Sequence, residues 1–464
     1  MSITVYGYIL IPLLIIIFLI KPKYLIYLLI VSLTLQVTSL INIGDYYSLQ
    51  IYRFITILVS VRFFIHLTMR EFKIKFKNKI LKEISLYGIV FAFFAMIWSF
   101  IAPFIFAGYP VFPPELGIDF SAIYGPSPLK FSEYNIALSI YILFYVLTLL
   151  FIITTNWDQN DLKILYRIFM ISFLIILVTS ISQILNFILK TPDITTYLYT
   201  ITTREFELSI AGSFPRVQAT YQEPSMFAPF IVGVYSYYLY STFKYKNLLH
   251  LIMTIVALIL ILLSASTTAY ISTMILTLLV LYFNLPLRIK NYTVYISLSR
   301  IIINVIVITA MLLISMGIIF FTIGFDSFIF LINEFLINKS DSESYKNRMI
   351  ADLHALKLFV DTYGFGVGLG SNRPSSLLPF LLSQLGFVGT WLFLVFIYKI
   401  MYFTYKSLKN TEYFQYFFLI PAVLVSQLIA YPDITNPTLW QFIYICIIFS
   451  SIFSRRFQNN ESLS

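Results

Sequence analysis

Apolar residues run along this chain in long blocks, broken by short polar stretches. The blocks fall at about 5–20, 24–41, 49–67, 84–106, 136–155, 164–189, 226–243, 248–263, 268–283, 301–321, 377–398, 416–430 and 438–453. A helix needs ~20 apolar residues to cross the ~30 Å hydrocarbon core of a bilayer. Thirteen such blocks predict an all-α polytopic membrane protein with about 13 transmembrane helices, built as a single integral membrane domain over residues 1–464. The weakest blocks are the short first one and the pair divided by Ser-Ala-Ser-Thr at 264–267.

The polar breaks alternate in character. Lys21 and Lys23, the string from Arg70 to Lys82, Lys163, Lys244 and Lys246, Arg288, Lys290 and Arg300, the stretch from Lys399 to Lys409, and Arg455 with Arg456 occupy every second break. The breaks between them hold acidic residues such as Asp45, Glu133, Asp193, Glu223, Asp352, Asp361 and Asp433. Basic loops stay on the cytoplasmic side of a membrane. The pattern therefore predicts an outside N-terminus, with the first helix uncleaved, and a cytoplasmic C-terminus. Three of the outer loops are long, at about 107–135, 190–225 and 322–376. Their aromatics, prolines and glycines differ from a disordered composition, so they form the expected working face.

Composition agrees and removes other classes. The chain is 59% hydrophobic and 11% charged, with a mean hydropathy of +0.87. A net charge of +10 could suggest nucleic acid, but the cations are confined to the short topology-setting loops, so no nucleic-acid partner is expected. The single cysteine, Cys446, lies in an apolar block and reads as an inert buried thiol. Three scattered histidines (His66, His250, His354) and the absence of CxxC give no metal-ligand spacing, and no cofactor is expected. No internal repeat of the transporter kind is visible.

Two outer stretches carry candidate chemistry. The first is Ala-Gly-Ser-Phe-Pro-Arg-Val-Gln-Ala-Thr-Tyr-Gln-Glu-Pro-Ser-Met-Phe-Ala-Pro-Phe at 211–230. Pro224 suits the first turn of a helix, which places Glu223 at the N-cap, as a cap or as a functional carboxylate. Arg216 beside a helix start suits an anion such as a diphosphate. The second runs from Ser344 to Ser371. Met349, Leu353, Leu356 and Val360 mark one helix face; Arg348, Asp352 and His354 mark the other, with Arg348 and Asp352 spaced to pair. Ser340 with Glu343 offers a capping box, and Gly364 a stop. The glycines at 364, 366, 368 and 370 permit a tight backbone re-entry into the next helix; without a βαβ context they are no dinucleotide fingerprint. Ser371 and Arg373 follow and are candidates to line a polar site. Arg53 lies near the outer end of the third block, where a charge is a functional candidate, whereas Arg62 snorkels at the inner end. Asp433, in Tyr-Pro-Asp-Ile-Thr-Asn-Pro, reads as a turn cap.

Together these stretches resemble a known family. Arg216-Val-Gln-Ala-Thr-Tyr-Gln-Glu223-Pro224-Ser225-Met-Phe-Ala228 resembles a segment of bacterial O-antigen polymerases of the Wzy type. Arg348-Met, Phe359, the glycine run and Leu385-Gly386-Phe-Val-Gly389 are similar to the large-outer-loop signature shared with O-antigen ligases. The ligases have a histidine after the glycine run; here Arg373-Pro-Ser-Ser stands there, which favours a polymerase. The resemblance implies a GT-C-like fold in the bacterial cytoplasmic (inner) membrane. It implies a glycosyltransferase that joins undecaprenyl-diphosphate-linked oligosaccharide repeat units on the outer side, for O-antigen, capsule or exopolysaccharide. Expected partners are those lipid-linked oligosaccharides, the lipid bilayer, and flippase and chain-length regulator proteins. The expected site residues are Glu223, Asp352 and His354 for catalysis, with Arg216, Arg348, Arg53 and Arg373 for diphosphate and glycan. The alternatives are a lipid-linked oligosaccharide flippase or transporter, a ligase-like transferase, and an assembly partner of an export complex.

Overall fold

The computed structural model describes all of the chain except residues 45–46, 70–75, 77, 115–123, 203–209, 212–213, 285–286, 291–292, 297, 325–328, 330–332, 334–341 and 462–464. The protein is mostly helical, and every predicted block holds a helix. In chain order these are α1 (Val5–Ile20), α2 (Lys23–Ser32), α3 (Ile51–Met69), α4 (Lys79–Ile105), α5 (Glu133–Thr154), α6 (Gln159–Leu189), the short α7 (Ile194–Leu198), α8 (Pro224–Tyr245), α9 (Leu248–Leu263), α10 (Thr267–Asn284), α11 (Leu298–Ile323), α12 (Glu343–Asp361), α13 (Leu377–Leu408), α14 (Leu419–Ile429, entered through a 3-10 turn at Phe414–Phe418) and α15 (Pro437–Glu461). Among the described residues, eight helices are long and apolar enough to cross a membrane: α3, α4, α5, α6, α10, α11, α13 and α15.

The second block departs from expectation. Its helix stops at Ser32, and the chain turns into strand β2 (Ser39–Ile43), which pairs antiparallel with β1 (Ser2–Ile3) and β3 (Tyr47–Gln50). A ten-residue helix rises only ~15 Å, half the hydrocarbon thickness. Thr34, Gln36 and Thr38, all buried, interrupt the apolar run where the helix ends.

Helix α8 is deeply buried although it is rich in tyrosine. Every residue of α8 from Pro224 to Thr242 is buried, although Tyr235, Tyr237, Tyr238 and Tyr240 line it. Its neighbours α9, α10 and α14 supply partners, as in the Tyr235 hydroxyl against Thr277 Oγ1 at 2.9 Å. Gly233 lets α15 come close, since a Cβ there would lie 2.5 Å from the Phe442 ring.

Loop contacts sort the helix ends into two groups, in step with the alternation of basic and acidic breaks. At one end Thr4 Oγ1 donates to Ser39 O at 2.7 Å, Phe112 N to Asn372 Oδ1 at 2.9 Å, and Val217 N to Leu263 O at 3.0 Å. At the other, Lys23 pairs with Asp161 and Lys399 with Glu83, each at 2.7 Å, and Tyr245 donates to Glu412 O at 2.7 Å.

Helix α13 is broken at Gly386, whose φ of 64° and ψ of −169° only glycine adopts readily. The glycine run threads against this break. Val367 N donates to Ser383 O and Gly368 N to Gln384 O, each at 2.8 Å, and Phe387 N donates to Gly364 O at 2.8 Å. The unwound turn therefore keeps its carbonyls bonded, as non-helical backbone must inside a bundle.

Candidate functional site

The site begins with an irregular segment held inside the bundle. Val217, Gln218, Ala219, Thr220 and Tyr221 are buried, yet they belong to neither helix nor strand. Their backbone groups are met by Gln183, a buried side chain of α6. Its Oε1 accepts from Gln218 N at 3.2 Å and Ala219 N at 3.0 Å, and its Nε2 donates to Ala219 O at 3.1 Å. Ala219 is thereby fixed at a φ of +51°, and Thr220 Oγ1 donates to Thr34 O at 2.6 Å. This bracing places Arg216 at one end of the segment and Glu223 at the other.

Glu223 is the N-cap residue of α8, with Pro224 in the first turn, as the sequence predicts. Its side chain makes no capping bond to the helix; its carboxylate accepts from Ser225 Oγ at 3.2 Å. Arg216 is half-buried and donates from Nε to Ser264 O at 3.4 Å. Burial, helped by the like charge of Arg348 and opposed by Tyr270 and Glu223, lowers its guanidinium to about 10. The guanidinium stays charged at neutral pH. Arg216 thus lies within electrostatic range of both Glu223 and Arg348, although Arg348 stands on α12, far along the chain.

Helix α12 differs in detail from expectation. Its N-cap is Ser342, whose hydroxyl accepts from Tyr345 N at 3.3 Å; Ser340 lies outside the described residues. Its stop is Tyr363 at a φ of +54°, with Gly364 N closing onto Phe359 O at 2.8 Å. The Arg348–Asp352 pairing allowed by spacing is not formed. Asp352 instead takes Ser375 N at 2.6 Å and Ser376 N at 3.0 Å on one oxygen and Ser376 Oγ at 2.7 Å on the other. It caps the start of α13, and Arg348 makes no ion pair among the described residues.

His354 stacks on Phe112 with ring centroids 4.4 Å apart, and its Nδ1 is buried without a hydrogen-bond partner. Burial and Lys357 hold its imidazole below the ordinary value, with Asp361 opposing, so it is neutral at pH 7. Its contact joins α12 to the loop after α4.

A second group gathers nearby. Arg373 donates from N to Phe112 O at 2.9 Å and from its guanidinium to Pro114 O at 3.2 Å. Arg53 lies over the Tyr141 ring at 4.2 Å, beside a small pocket lined also by Thr56, Ile57, Phe144 and Tyr145. Both arginines are in electrostatic range of Asp433. Asp433 Oδ1 accepts from Thr435 N at 2.7 Å and Thr435 Oγ1 at 2.6 Å, the expected turn. Burial raises its carboxyl above the usual range, against the bonds from Thr435 and the charges of Arg53 and Arg373. Tyr431 connects the two groups. Its hydroxyl is pushed well up by burial, with Asp433 and Glu223 adding to the shift and Arg373 opposing it.

Gln183, Tyr270 and Tyr431 escaped sequence reasoning. A glutamine inside an apolar block was the one available signal for the first. The two tyrosines are lost among 35. Among the described residues, no group of three His, Cys, Asp or Glu side chains is placed to hold a metal ion. No model of a known protein family matches this chain, and no curated protein matches it either.

Proposed function

We propose that this protein is a polysaccharide polymerase of the bacterial cytoplasmic membrane, joining undecaprenyl-diphosphate-linked oligosaccharide units at its loop-rich outer face. In this proposal α1, α2, α8, α9 and α14 join the eight apolar helices within the bilayer, in a GT-C-like arrangement with the N-terminus outside and the C-terminus inside. One observation carries the reading. Arg216 lies in the electrostatic field both of Arg348, a guanidinium from a distant segment, and of the carboxylate Glu223 at the start of a buried helix. Like charges placed together in a partly buried site favour an anion between them.

The chemistry follows from that grouping. An acceptor sugar hydroxyl attacks the anomeric carbon of a lipid-linked donor. The new C–O bond forms as the bond from that carbon to the diphosphate oxygen breaks, and the lipid diphosphate leaves with the electron pair. Arg216 and Arg348 meet the charge that grows on the leaving group. The Glu223 carboxylate takes the hydroxyl proton, for which its lone pairs are not engaged by helix N–H groups. Asp352 and His354 act as supports for α12 and α13 in this scheme.

The test uses the lipid-linked glycans of a strain lacking the gene. Single repeat units should accumulate outside the membrane, and Arg216→Lys should fail to restore polymer at normal protein level, because a lysine lacks the planar fork for a diphosphate. Units trapped on the cytoplasmic side, or a normal polymer ladder from Arg216→Lys, would overturn the proposal.

A further inference from the structure

Helix α12 turns its apolar stripe away from the protein. Met349, Leu353, Leu356 and Val360 are 49%, 59%, 37% and 69% exposed, while Ala351, Ala355 and Leu358 are at most 2% exposed. At about 100° per residue these two sets are diametrically opposite. A surface helix of a water-soluble domain has the reverse arrangement, with its large apolar side chains against the core. Here the small alanines let α12 lie close against α13, and the larger side chains are left outside.

The surface next to that stripe is also apolar. Phe387, Val388, Trp391 and Leu394 of α13 and Ile97, Phe100, Ile101 and Phe104 of α4 are exposed on helices that qualify as membrane spans. Tyr363 and Phe365, 83% and 56% exposed, bridge the two surfaces, and the Phe365 ring meets Trp98 of α4 at 6.0 Å. Lys346 and Lys357 are exposed on the same side of α12 as the stripe. An apolar stripe flanked by lysines is the composition of a helix lying in a membrane interface, where the ammonium groups reach anionic headgroups.

We propose that α12 is seated in the lipid leaflet at the loop-rich end of the protein, with Met349, Leu353, Leu356 and Val360 among acyl chains. The occupant of this face is the bilayer, because the exposed surface is continuous with that of α4 and α13. Arg348, on the protein-facing side of the same helix, is then held near headgroup depth. The proposal goes beyond the polymerase reading and does not depend on it.

The test places single reporters on the stripe. Cys446 is the chain's one cysteine, so Cys446→Ser gives a background for Leu353→Cys, Leu356→Cys and Val360→Cys, with Glu343→Cys as an exposed polar reference. Each full-length variant is labelled with an environment-sensitive fluorophore and reconstituted in phosphatidylcholine–phosphatidylglycerol vesicles. Lipids brominated on their acyl chains should quench the three stripe reporters, iodide in the buffer should leave them bright, and the reference should behave oppositely. Iodide quenching on the stripe equal to that at position 343 would place the stripe in water and overturn the proposal. Protection from both quenchers would overturn it too, by showing a covering of protein from residues 325–341 or a second copy. Because no readout uses polymer, these outcomes are separate from success or failure of the proposed enzyme activity.

Discussion

Replacing Gly386 with alanine probes the joint between the glycine run and the broken helix. A Cβ at this position would lie 2.2 Å from Phe365 O, 2.4 Å from its carbonyl carbon and 2.6 Å from Gly364 O, all of them backbone atoms. The dihedrals belong to a region restricted to glycine, which costs about 1–3 kcal/mol for any other residue. Overpacking against backbone that cannot move aside adds about 1–3 kcal/mol. Reduced freedom of the unfolded chain returns only about 0.4–1 kcal/mol. The net loss is therefore about 1–5.5 kcal/mol. Gly364→Ala is the control, because its φ is also positive (+80°) but its nearest contact would be an ordinary 3.5 Å to the Phe359 ring. Thermal unfolding of both variants in one detergent, followed by tryptophan fluorescence, should give a clearly lower Tm for Gly386→Ala. Equal Tm values would refute the claim that close backbone approach at 386 holds this joint together.

Three further outcomes are expected. Glu223→Asn should leave membrane level unchanged, abolish the polymer ladder and let single lipid-linked units accumulate, since losing a general base costs about 10²–10⁴ in rate; a normal ladder would reduce the residue to a helix start. Asp352→Asn should keep polymer, because an amide oxygen still accepts from Ser375 N and Ser376 N, whereas Asp352→Ala should lower stability by about 1–2 kcal/mol as an N-cap loss does; loss of polymer with normal stability in Asp352→Asn would restore it as a catalytic candidate. Asp433 has a raised folded-state carboxyl, so its contribution to stability is fully present below the unfolded value and is lost as pH rises through the folded one; Asp433→Asn should therefore raise Tm at neutral pH and narrow the Tm difference on acidification, and a Tm below wild type at neutral pH would contradict this.

The helices were legible because burial in lipid demands continuous apolar blocks, and period and length are local properties of a sequence. The exception at Ser32 shows what the block pattern misses, since the partners of the polar residues after it are distant in sequence: Gln36 donates to Thr438 Oγ1 of α15, Thr38 Oγ1 to Leu198 O of α7, and Thr34 O accepts from Thr220 before α8. Arg216, Glu223 and Pro224 were legible from a local rule about helix starts. The electrostatic influence of Arg348 on Arg216 had no local signature, because it depends on where α12 lies in the fold. The role of Asp352 was hidden for a related reason. Helical spacing offered Arg348 as a partner one turn away, but the two N–H groups of Ser375 and Ser376 just before α13 and the Ser376 hydroxyl compete for the same carboxylate and win by supplying three bonds. Exposure of the α12 stripe was equally beyond pattern reasoning, which gives the period of a face but not the medium it meets.

The start of α8 shows how one local choice redirects a side chain. A helix opening leaves N–H groups without partners, and a carboxylate at the N-cap is ordinarily drawn onto them. Proline in the first turn removes one of those donors outright. The Glu223 carbonyl accepts from Met226 N at 3.0 Å and Phe227 N at 3.1 Å, so the early turns are met by backbone alone. The carboxylate is then directed elsewhere, toward Ser225 Oγ and into the field of Arg216. Gln183 completes the arrangement by bracing the strained backbone between Arg216 and Glu223. The Glu-Pro sequence at 223–224 thus sets both the start of α8 and the direction of the carboxylate, from residues adjacent in the chain.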